Sequence, residues 1–235
     1  YLDRVCISAA APGITRDLGL TQMQMGYVFS AFALSYAIFE IPAGWWGDRI
    51  GQRPVLARIV AGWSLFTMLT GMVWSFAGLV TTRFVFGAAE AGAFPNLSRA
   101  LARWYGPGER AWPNGIMWMG ARVGGAVAPA LAALCIAGIG WRSTFVLFGA
   151  VGLVWVAAFW RWYRDGLLEP APHTPAPWGR IFASSNLWAL FWMYFCSAYG
   201  FYFYVTWMPT FLMKEHGLSL QQSGFYPTLP LAAGA

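Results

Sequence analysis

Long apolar stretches separated by short polar segments run through the whole chain. Uncharged runs cover residues 18–39, 59–82, 123–141, 143–160 and 181–213. A helix needs about 20 apolar residues to cross a hydrocarbon core of about 30 Å. The runs are too long for barrel strands, which alternate in polarity over about 10 residues. The pattern therefore predicts a series of membrane-spanning α-helices.

Polar breakers divide these runs into eight predicted helices. Short turns are predicted at 16–21, 47–54 and 105–110, where charged residues, glycine and proline cluster. Thr21 is the predicted N-cap of the second helix. The predicted helices cover residues 1–14, 22–46, 55–76, 78–104, 114–136, 142–160 and 186–212, and after a loop at 213–222 a truncated eighth helix follows.

A polar, proline-rich segment at 161–180 is the one extended linker in this pattern. It predicts three regions: an N-terminal transmembrane half at 1–160 with a truncated first helix, an inter-half linker at 161–180, and the start of a C-terminal half at 181–235. Because the chain starts at Tyr1 without methionine and ends in an apolar run, we expect it to be a fragment.

Composition narrows the class of protein. Hydrophobic residues make up 58% of the chain and charged residues only 10%, whereas soluble domains have about 25% charged residues. The net charge of +6 arises from scattered arginines rather than a basic stripe, which excludes nucleic acid as the expected partner. The three cysteines lie singly in apolar runs, so we expect no metal site and no cofactor.

The basic residues predict an orientation in the membrane. Nine lie in or beside alternate loops and three in the opposite loops. Because basic residues favour the cytoplasmic side, we expect a multi-pass protein of the bacterial inner membrane with a cytoplasmic N-terminus and linker. The nine are Arg49, Arg53, Arg58, Arg99, Arg103, Arg110, Arg161, Arg164 and Arg180, and the three are Arg16, Arg142 and Lys214.

Five ionisable residues fall deep inside predicted helices: Asp3, Arg4, Arg83, Glu90 and Arg122. A charge at the bilayer centre costs on the order of 3 kcal/mol or more, so these groups should face a cavity or one another. Arg83 and Glu90 share one helix face about 10 Å apart, and each is expected to have a further partner on another helix. Adjacent Asp3 and Arg4 should point about 100° apart.

An excess of buried arginine favours a carboxylate ligand, which guanidinium groups bind in bidentate fashion. A buried carboxylate beside arginine can bind and release a proton. Together they suggest proton-coupled anion transport, although buried ion pairs that only hold helices in register remain the structural alternative. Tyr199 and Tyr202 on the seventh predicted helix are candidates to line the site, or they pack against lipid.

The turn after the second predicted helix reads Gly44-Trp45-Trp46-Gly47-Asp48-Arg49-Ile50-Gly51-Gln52-Arg53. It resembles the G-x-x-x-D-R-x-G-x-R signature of the major facilitator superfamily, an all-α membrane fold of helical bundles. The resemblance implies a cytoplasmic latch made by Gly44, Asp48, Arg49, Gly51 and Arg53. In it Gly44 would allow close helix contact, Gly51 a tight turn, and Asp48 an ion pair with an arginine such as Arg53.

Further stretches resemble the anion:cation symporter family within that superfamily. They are Tyr1-Leu2-Asp3-Arg4, residues 83–92, Ala93-Phe94-Pro95 with Arg99, Gly120-Ala121-Arg122 with Gly124 and Gly125, Gly140-Trp141-Arg142 and Thr206-Trp207-Met208-Pro209. The resemblance implies that Asp3 and Glu90 are proton-coupling acids and that Arg83 pairs with one of them. It also implies that Arg4 contacts the substrate and Tyr1 lines the site, with Arg122 an additional substrate-binding candidate.

The resemblance implies a monomeric twelve-helix carrier that works by alternating access, with its site between two halves. Its substrate would be an organic anion such as a sugar acid, carried with H⁺ across the lipid bilayer. A sodium-coupled or exchange-type carrier, or a non-transporting sensor of the same fold, remains an alternative. No metalloprotease H-E-x-x-H or nucleophile elbow is present, so we expect no enzyme.

Overall fold

A computed structural model describes residues 2–166 and 177–226 of the chain. Every regular element within these ranges is helical, which confirms the predicted all-α class. The helices are α1 (Leu2–Leu18), α2 (Gln22–Ile50), α3 (Gln52–Thr70), α4 (Phe76–Glu90), α5 (Ala93–Trp104), α6 (Ala111–Trp162), α7 (Trp178–Ala183), α8 (Ser185–Tyr202), a π-helical turn (Phe203–Trp207), α9 (Met208–His216) and α10 (Leu220–Phe225).

Helix α1 lies at the centre of the bundle formed by α1 to α6. Its residues 5–11 are at most 3% exposed, because small and aliphatic side chains face neighbours all round. Helix α6 packs along both α1 and α3, and α2 packs along α4. The apolar core continues through Val28, Leu79 and Phe145, which are fully buried.

Helices α2 and α4 approach closely at Gly87. A Cβ atom there would overlap the hydroxyl of Ser35 and lie 2.6 Å from the carbonyl oxygen of Phe32. The Ser35 hydroxyl donates a hydrogen bond of 2.5 Å to the Phe84 carbonyl oxygen. Small residues permit such close contact between membrane helices. The contact at Gly87 brings the C-terminal part of α4, which carries Glu90, against α2.

Two glycines mark the boundaries between helical segments in α4 to α6. The prediction of one helix over residues 78–104 is wrong, because Gly92 has φ of +82° and separates α4 from α5. A Cβ at Gly92 would lie 2.5 Å from that of Ala43, so the break also lets α2 approach. The fifth and sixth predicted helices are nearly continuous as α6, where Gly140 (φ 77°, ψ 161°) is the only non-helical residue.

The turns near the N-terminus are tighter than the sequence predicts. Helix α1 continues to Leu18 rather than ending at residue 14. Thr21 caps α2 as predicted, in a reciprocal capping box with Gln24. The predicted turn at 47–54 reduces to Gly51, which has φ of +89° and joins α2 directly to α3. Helix α3 ends at Thr70, short of the predicted residue 76.

The elements after α8 pack against one end of the bundle formed by α1 to α6. The π-helical turn and α9 pack on α1, and α10 packs on the first part of α6, where Gly224 lies against Pro129. No residue of α8 is buried. The seventh predicted helix contains the π-helical turn. The predicted loop at 213–222 is shorter, because α9 continues to His216 and α10 begins at Leu220, which leaves residues 217–219 between them.

Two of the described helices, α2 and α6, are long and apolar enough by length and composition to cross a membrane. At 1.5 Å per residue, the 52 residues of α6 exceed one crossing of about 30 Å. The kink at Gly140 divides α6 into two helical segments, and it lies between the fifth and sixth predicted helices. Residues 167–176 of the predicted linker lie outside the described residues, and the division into two halves stays a prediction.

Candidate functional site

A cavity of about 340 Å³ opens where α1, α2 and α4 meet α8 and the π-helical turn. We call it the central cavity. Two arginines and a series of aromatic residues line it, together with small polar side chains. Its lining residues are Arg4, Ile7, Ser8, Phe29, Ser30, Phe32, Ala33, Arg83, Tyr199, Tyr202, Phe203, Thr206 and Trp207.

Arg4 and Glu90 form the ion pair at the edge of this cavity. Arg4 Nη2 lies 2.6 Å and Nε 3.1 Å from Glu90 Oε1. The two side chains are only 10% and 11% exposed. Glu90 Oε2 is buried without a hydrogen-bond partner. One carboxylate oxygen thus holds the guanidinium, while the other accepts no hydrogen bond from the described residues.

Arg83 is the more deeply buried cation of the central cavity, at 1% exposure. Its guanidinium carbon lies 4.2 Å from the ring centroid of Phe86 and 5.1 Å from that of Phe32. Its Nε and Nη1 have no hydrogen-bond partner, and it forms no ion pair within residues 2–166 and 177–226. The expected pairing of Arg83 with Glu90 or Asp3 is therefore wrong for this state, in which Glu90 pairs with Arg4.

Asp3 faces a different cavity from Arg4. It lies beside an apolar space of about 420 Å³ between α1, α3, α5 and the second part of α6. This matches the expected angle of about 100° between neighbouring helix positions. Arg4 thus faces the central cavity while Asp3 faces the interior of the first bundle.

The remaining predicted site residues are distributed unevenly. Tyr199 and Tyr202 line the central cavity from α8. Arg122 is exposed on α6, outside the lining of that cavity, with its guanidinium carbon 5.6 Å from the ring centroid of Phe201. Tyr1 lies outside the described residues. The structure therefore brings together Arg4, Arg83, Glu90 and the two tyrosines, but not Arg122.

The latch motif makes its ion pair with a different arginine from the expected one. Asp48 forms an ion pair with Arg99 Nε of α5 and not with Arg53. Arg53 instead donates from its backbone amide to Asp165 Oδ1 at 3.1 Å and from Nη2 to the Trp160 carbonyl oxygen. Pairing with Arg53 was wrong because Asp48 projects from α2 towards α5, whereas Arg53 begins α3 beside the end of α6.

The other motif residues have distinct roles. Gly51 provides the predicted tight turn, while Arg49 stacks 3.9 Å above Trp45 on the exposed surface. At Gly44 an added Cβ would make only ordinary contact with Pro95, at 3.5 Å. The close approach occurs at Gly47, where a Cβ would overlap Asn96. The motif spacing does not reveal this, because Gly47 occupies one of its variable positions.

Sequence reasoning missed the aromatic residues that surround the Arg4 guanidinium. Its carbon lies 4.8 Å from the ring centroid of Tyr36 and 5.1 Å from that of Phe32. Tyr36 also donates a hydrogen bond of 3.4 Å to Glu40. Positions 32, 36 and 40 recur every four residues, which places them on one face of α2, and this spacing was the available signal.

The central cavity suits a small anion better than a metal ion or a neutral ligand. No group of three or more histidine, cysteine, aspartate or glutamate residues able to hold a metal occurs in the described parts of the chain. Two guanidinium groups line the cavity, and the one carboxylate of this cluster, Glu90, pairs with Arg4 outside the lining. The rings of Phe32 and Phe86 hold the Arg83 guanidinium by cation–π contact, and its Nε and Nη1 have no hydrogen-bond partner among the described residues.

Sequence relatives of this chain are named as transporters of organic acids. A probable sulfoacetate transporter of Cupriavidus necator is 38% identical over 254 residues, covering 100% of this chain and 59% of the relative. A D-galactonate transporter of Escherichia coli is 30% identical over 261 residues, covering 99% and 60%. A hexuronate transporter of Bacillus subtilis is 29% identical over 245 residues, covering 100% and 58%. The chain thus spans less than two thirds of these relatives.

A solved structure supports the fold. The crystal structure of a bacterial homologue of the human lysosomal transporter Spinster, in an inward-facing and occupied conformation, matches with a TM-score of 0.85. The two chains are 27% identical, and the match covers 98% of this chain and 55% of the other. The family model described as "Major Facilitator Superfamily" matches residues 1–235. This chain therefore belongs to the Major Facilitator Superfamily, whose members are multi-pass membrane transporters rather than enzymes, and it is similar to members named for carrying organic anions.

Proposed function

We propose that the whole protein is a proton-coupled symporter of a small organic anion that works by alternating access. The observation that carries the proposal is the Arg4–Glu90 pair beside a cavity that also holds the unpaired Arg83. With Glu90 ionised, the three groups carry one excess positive charge. An anionic substrate would neutralise that excess, and a proton on Glu90 would increase it.

The coupling follows from competition for Arg4. An ionised Glu90 occupies Nη2 and Nε of Arg4, which are the N–H groups that a substrate carboxylate would need. A proton on Glu90 removes the charge that holds the pair together, so Arg4 is released to the substrate, with Arg83 as the second cation. Guanidinium groups bind carboxylates in bidentate fashion. Deprotonation of Glu90 would then recapture Arg4 and help to expel the anion.

Asp3 would be the second proton-binding group. It sits next to Arg4 on α1 but faces the apolar cavity beside α3 and α6. Its proton would therefore be exchanged on the opposite side of α1 from the substrate. An unpaired carboxylate in this apolar cavity is costly. We therefore expect Asp3 to take up its proton before the helices move between the two access states.

The relatives' names suggest the substrate class. Sulfoacetate, galactonate and hexuronate are all small organic acids, and we propose a member of this class for the whole protein. We place it in the bacterial inner membrane as a monomer, with a cytoplasmic N-terminus and a cytoplasmic linker at 161–180 between two halves. The Asp48–Arg99 pair would serve as part of the cytoplasmic latch.

Uptake by the reconstituted whole protein tests the proposal. Proteoliposomes are given D-galactonate or sulfoacetate under an imposed pH gradient, acid outside. We expect concentrative uptake by the wild type. Glu90→Gln should bind the anion, because no negative charge at position 90 competes for Arg4, and should exchange it across the membrane, but it should lose accumulation driven by the pH gradient. Glu109→Gln, in the exposed turn after α5, is the matched control and should behave as the wild type.

Two results would overturn the proposal. Accumulation by Glu90→Gln equal to that of the wild type would exclude Glu90 as a coupling group. Uptake that follows a sodium gradient and ignores the pH gradient would replace H⁺ by Na⁺ as the coupling ion. Arg4→Ala provides the test of anion recognition, since it should abolish protection of the protein against heat by galactonate.

A further inference from the structure

An open groove of about 750 Å³ runs along the second part of α6 beside the start of α3. We call it the lateral groove, and it is separate from the central cavity. Three arginines lie at one end of its lining and apolar residues along the rest. The lining residues are Arg53, Leu153, Val156, Ala157, Trp160, Arg161 and Arg164.

The apolar part of the lateral groove lies on the outside of the bundle. Leu153 is 38% exposed and Trp160 49%, and the neighbouring Val154 is 71% exposed. In a membrane-spanning helix such a face meets lipid chains rather than water. Tryptophan near a helix end marks the level of the headgroups, so Trp160 places the arginines at the membrane–water boundary.

Few acidic side chains balance the positive charge of the arginines in the lateral groove. Arg161 and Arg164 are exposed, and neither makes an ion pair with the described residues. Arg53 stacks 4.5 Å from the ring centroid of Trp160 and keeps Nε buried without a hydrogen-bond partner. Among the described residues, Asp165 is the acid beside these arginines, and it accepts a hydrogen bond from the Arg53 backbone amide. The end of the groove therefore carries a net positive charge of about two.

We propose that the lateral groove binds one anionic phospholipid. The acyl chain would lie along Leu153, Val156 and Ala157, and the headgroup phosphate would contact Arg161 and Arg164, with Arg53 fixed behind them on Trp160. Basic pockets between transmembrane helices bind anionic headgroups in this way. A free phosphate would use only the arginines, whereas a lipid requires the adjoining apolar surface as well.

Native mass spectrometry of the purified whole protein tests this site. The probes are phosphatidylglycerol and phosphatidylcholine with the same acyl chains. We expect phosphatidylglycerol to be retained in preference. Because a basic residue near an anionic headgroup contributes about fivefold in affinity, the double variant Arg161→Gln/Arg164→Gln should lose about twenty-five-fold.

Matched variants separate the groove from general surface charge. Arg49→Gln/Arg58→Gln removes the same charge at the same end of the bundle, where these arginines stack on Trp45 and Trp46, and should leave phosphatidylglycerol binding within about twofold. Ala157→Trp fills the groove without changing the charge and should also displace the lipid. Ala157 is exposed, so this variant should fold even if an arginine variant does not.

Three outcomes would overturn the proposal. Equal retention of phosphatidylcholine would show that the arginines do not select a headgroup. An equal loss in Arg49→Gln/Arg58→Gln would show that net charge alone attracts lipid. Displacement by millimolar inorganic phosphate, with Ala157→Trp indistinguishable from the wild type, would show that the groove binds an ion and not a lipid.

Discussion

At the scale of the residue, Asn96 shows how closely α2 and α5 are fitted together. Its side chain is 1% exposed, and Nδ2 donates to the carbonyl oxygens of Gly92 at 2.8 Å and Ala43 at 3.2 Å. Its Oδ1 lies against Gly47. The asparagine amide therefore satisfies one carbonyl on α2 and one in the break between α4 and α5, but only while position 47 has no side chain.

Gly47→Ala should destabilise the protein by about 1–3 kcal/mol. The added methyl group overlaps Asn96, so the amide must move and lose hydrogen bonds, and overpacking of this kind carries that cost. Thermal unfolding in detergent measures it. Gly44→Ala is the matched control on the same helix, since its nearest neighbour would be Pro95 at 3.5 Å, and it should change little.

A double variant distinguishes this contact from a general loss of helix packing. Asn96→Ala removes the amide that the alanine methyl group would strike, so Gly47→Ala should be less harmful in that background than alone. Additive effects of the two substitutions would show that the strain lies elsewhere.

The charged residues show how far single positions could be predicted. Apolar surroundings identify Arg4, Arg83 and Glu90 as buried, and helix spacing separates Asp3 from Arg4. The partner of Glu90 could not be predicted this way, because spacing along α4 favours Arg83 while the actual pairing crosses to α1, 86 positions away. Such a pairing depends on how α1 is rotated against α4.

At the scale of the element, the kink in α6 depends on a single backbone conformation. Gly140 has φ of 77° and ψ of 161°, a combination that is essentially confined to glycine. Its carbonyl oxygen accepts a hydrogen bond of 2.8 Å from Thr144 Oγ1. No neighbouring atom lies within 4 Å of an added Cβ, so any effect of a side chain at this position comes from backbone strain alone.

Gly140→Ala should therefore destabilise the kink by about 1–3 kcal/mol, the usual cost of such a conformation for a residue with a Cβ. Gly138→Ala is the control, because position 138 is helical and equally open, and alanine there should be neutral or stabilising. Thermal unfolding of the two variants gives the comparison. Equal effects would mean that Gly140 does not need its unusual backbone angles.

Element boundaries divide into those that the sequence reveals and those that it does not. Thr21 was predictable as a cap because a hydroxyl beside an apolar run has a local hydrogen-bonding role. The break at Gly92 was missed, because a lone glycine among alanines resembles a tolerated helical residue, and its close contact with Ala43 of α2 is a property of tertiary packing. The π-helical turn at Phe203–Trp207 contains no proline or glycine itself, and Pro209 at the start of α9 is the one local signal of an irregular helix beside it.

At the scale of the whole molecule, the described elements meet at one end and diverge at the other. The π-helical turn, α9 and α10 contact α1 and α6, whereas α8 stays exposed along its length. The lengths of the hydrophobic runs predict a series of spans, and the number and alternation of these spans stay predictions. The sequence does not predict which end is closed, because that depends on contacts between helices far apart in the chain.

The closed end contains a second cavity of about 340 Å³, and Trp207 lines both this outer cavity and the central cavity. Its ring packs edge-on against Phe29 of α2, with centroids 5.3 Å apart. Arg16 and Lys214 lie in the lining of the outer cavity. Trp207 therefore separates two spaces that together lead from the central cavity towards the end of α9.

Trp207→Ala should join the two cavities and open the central cavity from the side of α9. The probe is Ala33→Cys, which lines the central cavity, in a background with Cys6, Cys135 and Cys196 replaced by alanine. A membrane-impermeant maleimide applied from the side of the α9–α10 turn should label it several-fold faster in Trp207→Ala.

Phe211→Ala is the control for this labelling experiment. It removes an exposed aromatic residue of α9 that lines neither cavity and should leave the labelling rate unchanged. The same labelling rate with and without the indole would show that the barrier lies at another residue. A faster rate in both variants would show that loosening α9, rather than removing one ring, opens the path.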